Sequence, residues 1–431
     1  MNTNAKLIKD KKYNTKLYPF YKALSWDLLF YYSISFLFLT GTKGISAANV
    51  LFVDAFYPIF KFILQVPCAA IVGKIGNRKS TIIGNILVAC SIFILFPATG
   101  ITELIISQFF SAFGYALKAL TESNLLYDSI PRSRKRNDLF SIIDGKSSSY
   151  YYYIDAISAT ATGFLFVING YLPVIICFTL CVLSIFVSCK FKETNSHNKQ
   201  SNTKKDITLK NSFKDLRQAF SFIFKSSRLR NLILFNAVLT SALAILMTLR
   251  SSILTDINLP EEYFGIITAV AQIVSGIAAA RSSWFHKRFK NRTLKLFGMS
   301  VAVSIILMGV PVILGFNFGL TLEVLLLLFV VQFVMKGPFY TLIKRYLNSF
   351  STSSMRPKIL AASDLVYSIV RAIFSFIGSW LLGFTTTAYV CIILGCLFTI
   401  LITLLLDRMR HTVGLKPEQY ADKDIKFVEV N

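Results

Sequence analysis

Charge is scarce in this sequence. Asp, Glu, Lys and Arg make up 16% of 431 residues, whereas soluble domains carry about 25%, so a water-soluble globule is excluded. Disorder is excluded by the same numbers. Histidine is rarer still, and His197, His286 and His411 show no metal-ligand spacing. Seven cysteines contain no CxxC pair and no Cys/His cluster; they lie in or beside apolar stretches and read as free thiols packed as small hydrophobes. There is no GxxxxGK[ST] loop for a nucleotide, and no HExxH or GxSxG constellation for an intramembrane enzyme. Neither a cofactor nor a catalytic residue is expected.

What the chain has in excess is apolar length. Apolar residues reach 54%, with 39 Phe among them, and the mean hydropathy is +0.58. A hydrocarbon core about 30 Å thick takes roughly 20 residues of helix. Twelve such runs can be read, at about 24–42, 48–73, 80–98, 102–127, 139–168, 172–189, 231–254, 263–285, 294–314, 320–343, 359–383 and 388–406. They are numbered as spans 1 to 12. The first opens with Tyr18, Tyr21 and Trp26, aromatics suited to a headgroup belt. It is too long for a cleavable signal peptide, and no small-residue cleavage site follows.

Basic residues orient the spans. Of 46 Lys and Arg, 39 fall in the N-terminus, the loops after even-numbered spans, the central segment 190–230 and the C-terminal tail. One, Lys43, falls in the opposite set of loops, and six (Lys61, Lys118, Lys146, Arg250, Lys336, Arg371) lie within spans. The positive-inside rule then places both termini in the cytoplasm of a multi-pass protein of the cytoplasmic membrane. The net charge of +24 is therefore a topology signal, and no nucleic-acid partner is expected.

Residues 190–230 interrupt the apolar pattern with six spans on either side. The expected organisation is a cytoplasmic N-terminus (1–23), a six-helix bundle (24–189), a cytoplasmic linker with an amphipathic stretch from Asn211 to Phe224, a second bundle (231–406) and a cytoplasmic tail (407–431). Fixed offsets suggest duplication. Lys74, Asn77, Arg78 and Gly84 fall on Arg288, Asn291, Arg292 and Gly298 at an offset of 214; Arg136, Asp144 and Gly163 fall on Arg356, Asp364 and Gly383 at 220. Parallel six-span repeats are a transporter plan.

With this span count and a basic central linker, the whole chain resembles the major facilitator superfamily. That family's loop between spans 2 and 3 reads Gly-x-x-x-Asp-Arg/Lys-x-Gly-Arg/Lys-Arg/Lys. Here Lys74, Gly76, Arg78 and Lys79 keep the pattern, while Ala69 replaces the first Gly and Gly73 the Asp. Span 4 ends in Asn124, Tyr127 and Asp128, similar to bacterial exporter-like members, but the Gly-Pro signature of drug/proton antiporters is missing from span 5. The resemblance implies an all-α membrane fold of twelve spans in two bundles, with spans 1, 4, 7 and 10 around a central cavity. Lys118, Glu122, Arg250 and Lys336 are then the expected cavity residues. The gating loops would comprise Lys74, Gly76, Asn77, Arg78, Lys79, Asp128, Arg136, Asp144, Asn291, Arg292, Arg356 and Asp364.

Ionisable groups at membrane depth cost about 2.5–3.5 kcal/mol each on insertion scales and need partners or a wet cavity. Lys118 and Glu122 stand i, i+4 on one face of span 4, and Asp155 lies in span 5. Asp155 and Glu122 are the expected carriers of a coupling proton; a structural ion pair is the alternative for Lys118 and Glu122. Lys61 is expected to neutralise Asp155 or snorkel, and Asp144 and Asp364 to pair with Arg136 and Arg356. Tyr150–Tyr153 read as interface packing. Ala159 with Gly163, and Ala271 with Ser275 and Ala279, form small-residue faces on spans 5 and 8 that let helices approach. The reading is a monomeric secondary transporter of a small amphipathic solute, anionic or zwitterionic, driven by proton exchange in the efflux direction. The alternative is an importer or facilitator of an anionic metabolite.

Overall fold

The computed structural model describes residues 3–131, 136–192, 221, 223, 227–289, 292–349 and 356–409. The linker's amphipathic stretch, apart from residues 221 and 223, lies outside the described residues, as do His197, His411 and Asn291 and the side chains of His286 and Arg356. Among the described residues all regular structure is helical, and eleven helices are long and apolar enough to cross a membrane. They coincide with spans 2 to 12.

Span 1 is absent from that set because its run is not a continuous helix. A helix runs Thr3–Ser25, residues 26–34 form turns, and the chain resumes as Ser35–Leu37 and a π-helical turn at Phe38–Thr42. The break has a local cause. The Asp27 carboxylate accepts from the Leu28 backbone N–H at 3.0 Å, a side-chain bond that competes with the helix ladder. Phe30 then takes φ of 65°, in the left-handed region that bulky residues avoid. Broken backbone at membrane depth needs protein partners for its freed polar groups. The helix before the break is packed rather than loose: Tyr18 and Tyr21 are buried with Leu125, Leu126, Ile130 and Phe191. Asn14 bonds both the Ser129 hydroxyl (3.1 Å) and the Lys192 backbone.

The chain divides into two compact units, one of residues 1–45, 60–212 and 261–269, the other of residues 46–59, 213–260 and 270–431. In the first, span 3 (Asn77–Leu95) packs on span 4 (Ile101–Ser129) and span 6 (Leu172–Cys189), and the helix entering span 1 packs on spans 4, 5 and 6. In the second, span 9 (Thr293–Ile313) packs on span 10 (Phe318–Ser349) and span 12 (Thr387–Met409), while span 7 (Ser227–Asp256) packs on spans 10, 11 and 12. Adding six to each span number of the first set gives the second. The internal repeat is therefore visible in packing.

Small and hydroxylated residues contribute to these contacts beside buried Leu, Ile and Phe, while other Phe, Leu and Ile side chains face outward. Between spans 3 and 4, Thr81 donates to the Thr121 hydroxyl (2.9 Å) and Ser107 to the Ser91 carbonyl (2.8 Å). A methyl group at Gly114 would lie 2.7 Å from both the Gly84 carbonyl and Val88, so only glycine lets these helices meet. Exposed Phe164, Ile168, Phe186, Leu327, Trp380 and Phe384 are the surface that lipid covers.

Two spans are jointed. Span 2 consists of Ala47–Asp54 and Phe56–Ile75, and span 8 runs Glu262–Ala280 before a short helix Ser282–Phe289. The first piece of span 2 belongs to the second unit, where the Ser379 hydroxyl donates to the Ala48 carbonyl. The start of span 8 belongs to the first unit, where methyl groups at Gly163 and Gly265 would collide with the Glu262 and Ala159 backbones. The small-residue face foreseen on span 5 thus meets the start of span 8, whereas Ser275 and Ala279 of the face foreseen on span 8 lie against Gly337 of span 10.

Candidate functional site

In the first unit the break in span 1 organises the charged groups. Lys118 is 3% exposed. Its ammonium donates to the Ser25 backbone carbonyl, sits 3.7 Å from the Glu122 carboxylate and lies 4.9 Å from the Tyr115 ring centre. Ser25 is the last residue of the entering helix, whose terminal carbonyls carry partial negative charge and lack intrahelical donors. Lys118 therefore closes the helix end that the break exposes. Glu122 is fixed from the other side, accepting from the Tyr21 hydroxyl at 2.6 Å, which in turn accepts from the Asn85 amide at 2.9 Å.

Asp27, on the far side of the break, accepts from the Tyr151 hydroxyl at 3.3 Å, and Trp26 stacks on the Tyr151 ring with centres 5.1 Å apart. Asp155, one turn along span 5, is close enough for its charge to act on Asp27, as is Lys118. Two carboxylates, a phenol and an ammonium thus meet where span 1 loses its helix. Sequence reasoning placed only Asp155 and Glu122 well inside the spans of the first half and missed Asp27. The available signal was the order Trp26-Asp27 inside an apolar run, a charge that a continuous helix would have turned toward lipid or a neighbour.

Several expected pairings are corrected. Asp144 binds Lys22 at 2.5 Å, not Arg136, because the entering helix stays helical past Lys22 and carries it to span 5. The same ammonium donates to the Ser148 hydroxyl at 3.1 Å and sits 3.9 Å from the Trp26 ring centre. Arg136 instead donates to the Tyr127 carbonyl (2.5 Å) and stacks on the Tyr127 ring. Of the two expectations for Lys61, neutralising Asp155 or snorkelling, its exposed side chain fits the second. Lys43, the one basic residue expected in an outer loop, donates to the Phe96 carbonyl at 2.8 Å and lies near Tyr171, so it is spent within the fold.

The loop between spans 2 and 3 has its own chemistry. Gly76 turns the chain at φ of 85°, which explains why glycine stands there. Asn77 donates to the Asp128 carboxylate at 3.2 Å, whereas Arg78 reaches the Cys189 carbonyl at 2.8 Å. Lys74 and Lys79 are exposed. In the other half Arg292 is exposed at the start of span 9, and Asp364 sits in the first turns of span 11.

In the second unit Asp54 accepts from Thr248 at 3.2 Å and acts electrostatically on Arg371, which also faces the Tyr367 hydroxyl at 3.4 Å. Lys336 is half-buried on span 10. Arg250 is 8% exposed, with its guanidinium carbon 4.2 Å from the Phe333 ring centre and 5.8 Å from that of Phe329. Among the described residues no group of three or more His, Cys, Asp or Glu could hold a metal ion.

A family model described as Major Facilitator Superfamily matches residues 23–304. No curated protein matches the sequence. Similar solved structures include the nucleoside transporter NupG, with 14% identity, 93% of this chain and 100% of that chain covered, and a TM-score of 0.72. The peptide transporter POT in complex with sulfate gives 12% identity, 94% and 95% coverage and 0.67. A D-xylose-proton symporter gives 11%, 97% and 99% coverage, and 0.61. At these identities the likeness is one of fold.

Proposed function

The chain belongs to the major facilitator superfamily as a secondary transporter, and on that premise we propose that it moves a small amphipathic solute across the cytoplasmic membrane in exchange for protons. The observation that carries this reading is the junction of Asp27, Tyr151 and Asp155 at the break in span 1. Ionisable groups gathered at membrane depth mark ion and proton pathways, and broken helices mark transporter binding sites. Two carboxylates whose charges act on each other have one arrangement with a shared proton and another without it. Glu122 is the less suited carrier, because Tyr21 and Lys118 already hold it. Lys118 serves best as the group that stabilises the broken helix, and through it the position of Asp27. Asn77 and Asp128 form the gate contact in this half, and both termini and the linker face the cytoplasm, as the basic residues indicate.

Export is the direction carried from the exporter-like end of span 4. One observation favours a second reading, uptake with protons: a protein of the same fold is named a proton symporter. Purified protein in liposomes distinguishes them. Radiolabelled nucleosides, dipeptides, pentoses and aromatic carboxylates are offered with a pH gradient in each orientation. Accumulation against a gradient of one class, abolished by a protonophore, is the expected result, and the effective orientation gives the direction. Accumulation that ignores the pH gradient overturns the proton reading.

A further inference from the structure

We infer that Arg250 is a binding site for an oxyanion, the carboxylate or phosphate group of the transported solute, with Phe329 and Phe333 holding the apolar part beside it. The inference rests on the transporter reading and deepens it by naming the substrate's charge.

Arg250 stands near the outer end of span 7, more than nine-tenths buried. A buried charge is ordinarily answered by an opposite charge or by hydrogen bonds. Here neither is found: among the described residues no acceptor meets the guanidinium, and its buried Nε lacks a partner. Its contacts are the faces of Phe333 and Phe329. The acids on or against span 7 are committed elsewhere, Asp54 to Thr248 and Arg371, and Asp256, the last residue of the span, to Thr387. Rings stacked on the guanidinium face stabilise its charge but leave the in-plane N–H groups unused. Those donors form the planar fork that matches carboxylate and phosphate, a geometry an ammonium lacks.

Two other cations within the spans contrast with it. Lys118 has Ser25 and Glu122, and Arg371 has Asp54 and Tyr367. Arg250 is held in place by rings and offers its hydrogen bonds to a group not found among the described residues.

The test is binding to the full-length protein in detergent, followed by thermal melting. Benzoate and phenyl phosphate serve as probes, with benzamide as the neutral control at matched ionic strength. Millimolar benzoate or phenyl phosphate should raise the melting temperature by about 2–4 °C, and benzamide should not. The ratio of the two anion responses identifies the preferred group. Arg250→Gln should melt no lower than the parent without ligand yet lose the anion response, and Arg250→Lys should keep only a small part of it. An equal anion response in Arg250→Gln, or an equal response to benzamide in the parent, overturns the inference. A second readout uses the parent alone: phenylglyoxal modification of Arg250, followed by peptide mass spectrometry, should slow about tenfold with benzoate. An unchanged rate also overturns it. No gradient is applied, so failure of proton-driven transport with anion binding intact would sink the coupling reading alone.

Discussion

The two units share a packing plan and differ in how they treat a buried cation. In the first, Lys118 is tied to the end of a broken helix, to a carboxylate and to a ring, and Lys22 is tied to Asp144. In the second, Arg250 is as deeply buried but is met only by rings. Span-to-span packing repeats at an interval of six spans; charge placement does not. Backbone approach and apolar faces are what a duplicated bundle must reproduce to stay folded. The charges are free to diverge, so the asymmetry between units is where function is most visible. The first unit has its acids around a break suited to exchanging protons, the second a cation suited to an anion.

The strongest way to break this contrast is to remove each cation in turn. Lys118→Ala leaves the Ser25 carbonyl buried without its donor and half-buried Glu122 with Tyr21 as its remaining donor, and should cost about 3–5 kcal/mol, read as loss of a monodisperse folded fraction in detergent. Arg250→Gln removes a charge that has no acidic partner among the described residues and should leave stability unchanged or raise it. Equal losses in the two variants would erase the distinction.

A smaller effect is expected from two glycines matched by the repeat. At Gly163 a side chain meets the Glu262 backbone, whereas at Gly383 nothing lies within 4 Å. Gly163→Val should cost about 1–3 kcal/mol by overpacking, while Gly383→Val should stay within about 0.5 kcal/mol, both by thermal melting. Lys22→Gln, at a pair with one member a third exposed, should cost about 1 kcal/mol. The same loss in a Lys22→Gln/Asp144→Asn double variant would show that the pair itself contributes it.

The smallest effect concerns Glu261, in the loop before span 8, whose carboxyl is held above its ordinary range by burial and by neighbouring Glu262. A carboxyl raised in the folded state favours folding when protonated, and that contribution is lost as pH rises through its folded value. Glu261→Gln should therefore raise the melting temperature slightly at pH 8 and leave it unchanged at pH 4. A rise at both values would point to packing rather than charge.

Much of the fold was legible because hydropathy and length act on each span separately. Eleven of the twelve runs appear as helices, and the small residues of span 5 lie at a close contact with span 8, while those foreseen on span 8 meet Gly337 of span 10. Span 1 misled because a run of apolar residues cannot show that one carboxylate, Asp27, diverts the ladder at Leu28. The site was legible in part. The i, i+4 spacing brought Lys118 to Glu122, but the pairing of Asp144 with Lys22, 122 residues apart, depends on the path of the entering helix. Likewise no spacing rule shows that Arg250 lies over Phe333 and lacks an acid.

The central claim, that protons enter the cycle through Asp27 and Asp155, is tested most directly by separating driven transport from exchange. In liposomes containing a solute identified by the gradient screen, the parent and an Asp27→Asn/Asp155→Asn variant of equal melting temperature are compared in two modes. The account expects the variant to exchange labelled for unlabelled solute at a rate near the parent's while gradient-driven accumulation disappears. Gradient-driven accumulation at the parent's level in that variant would contradict it.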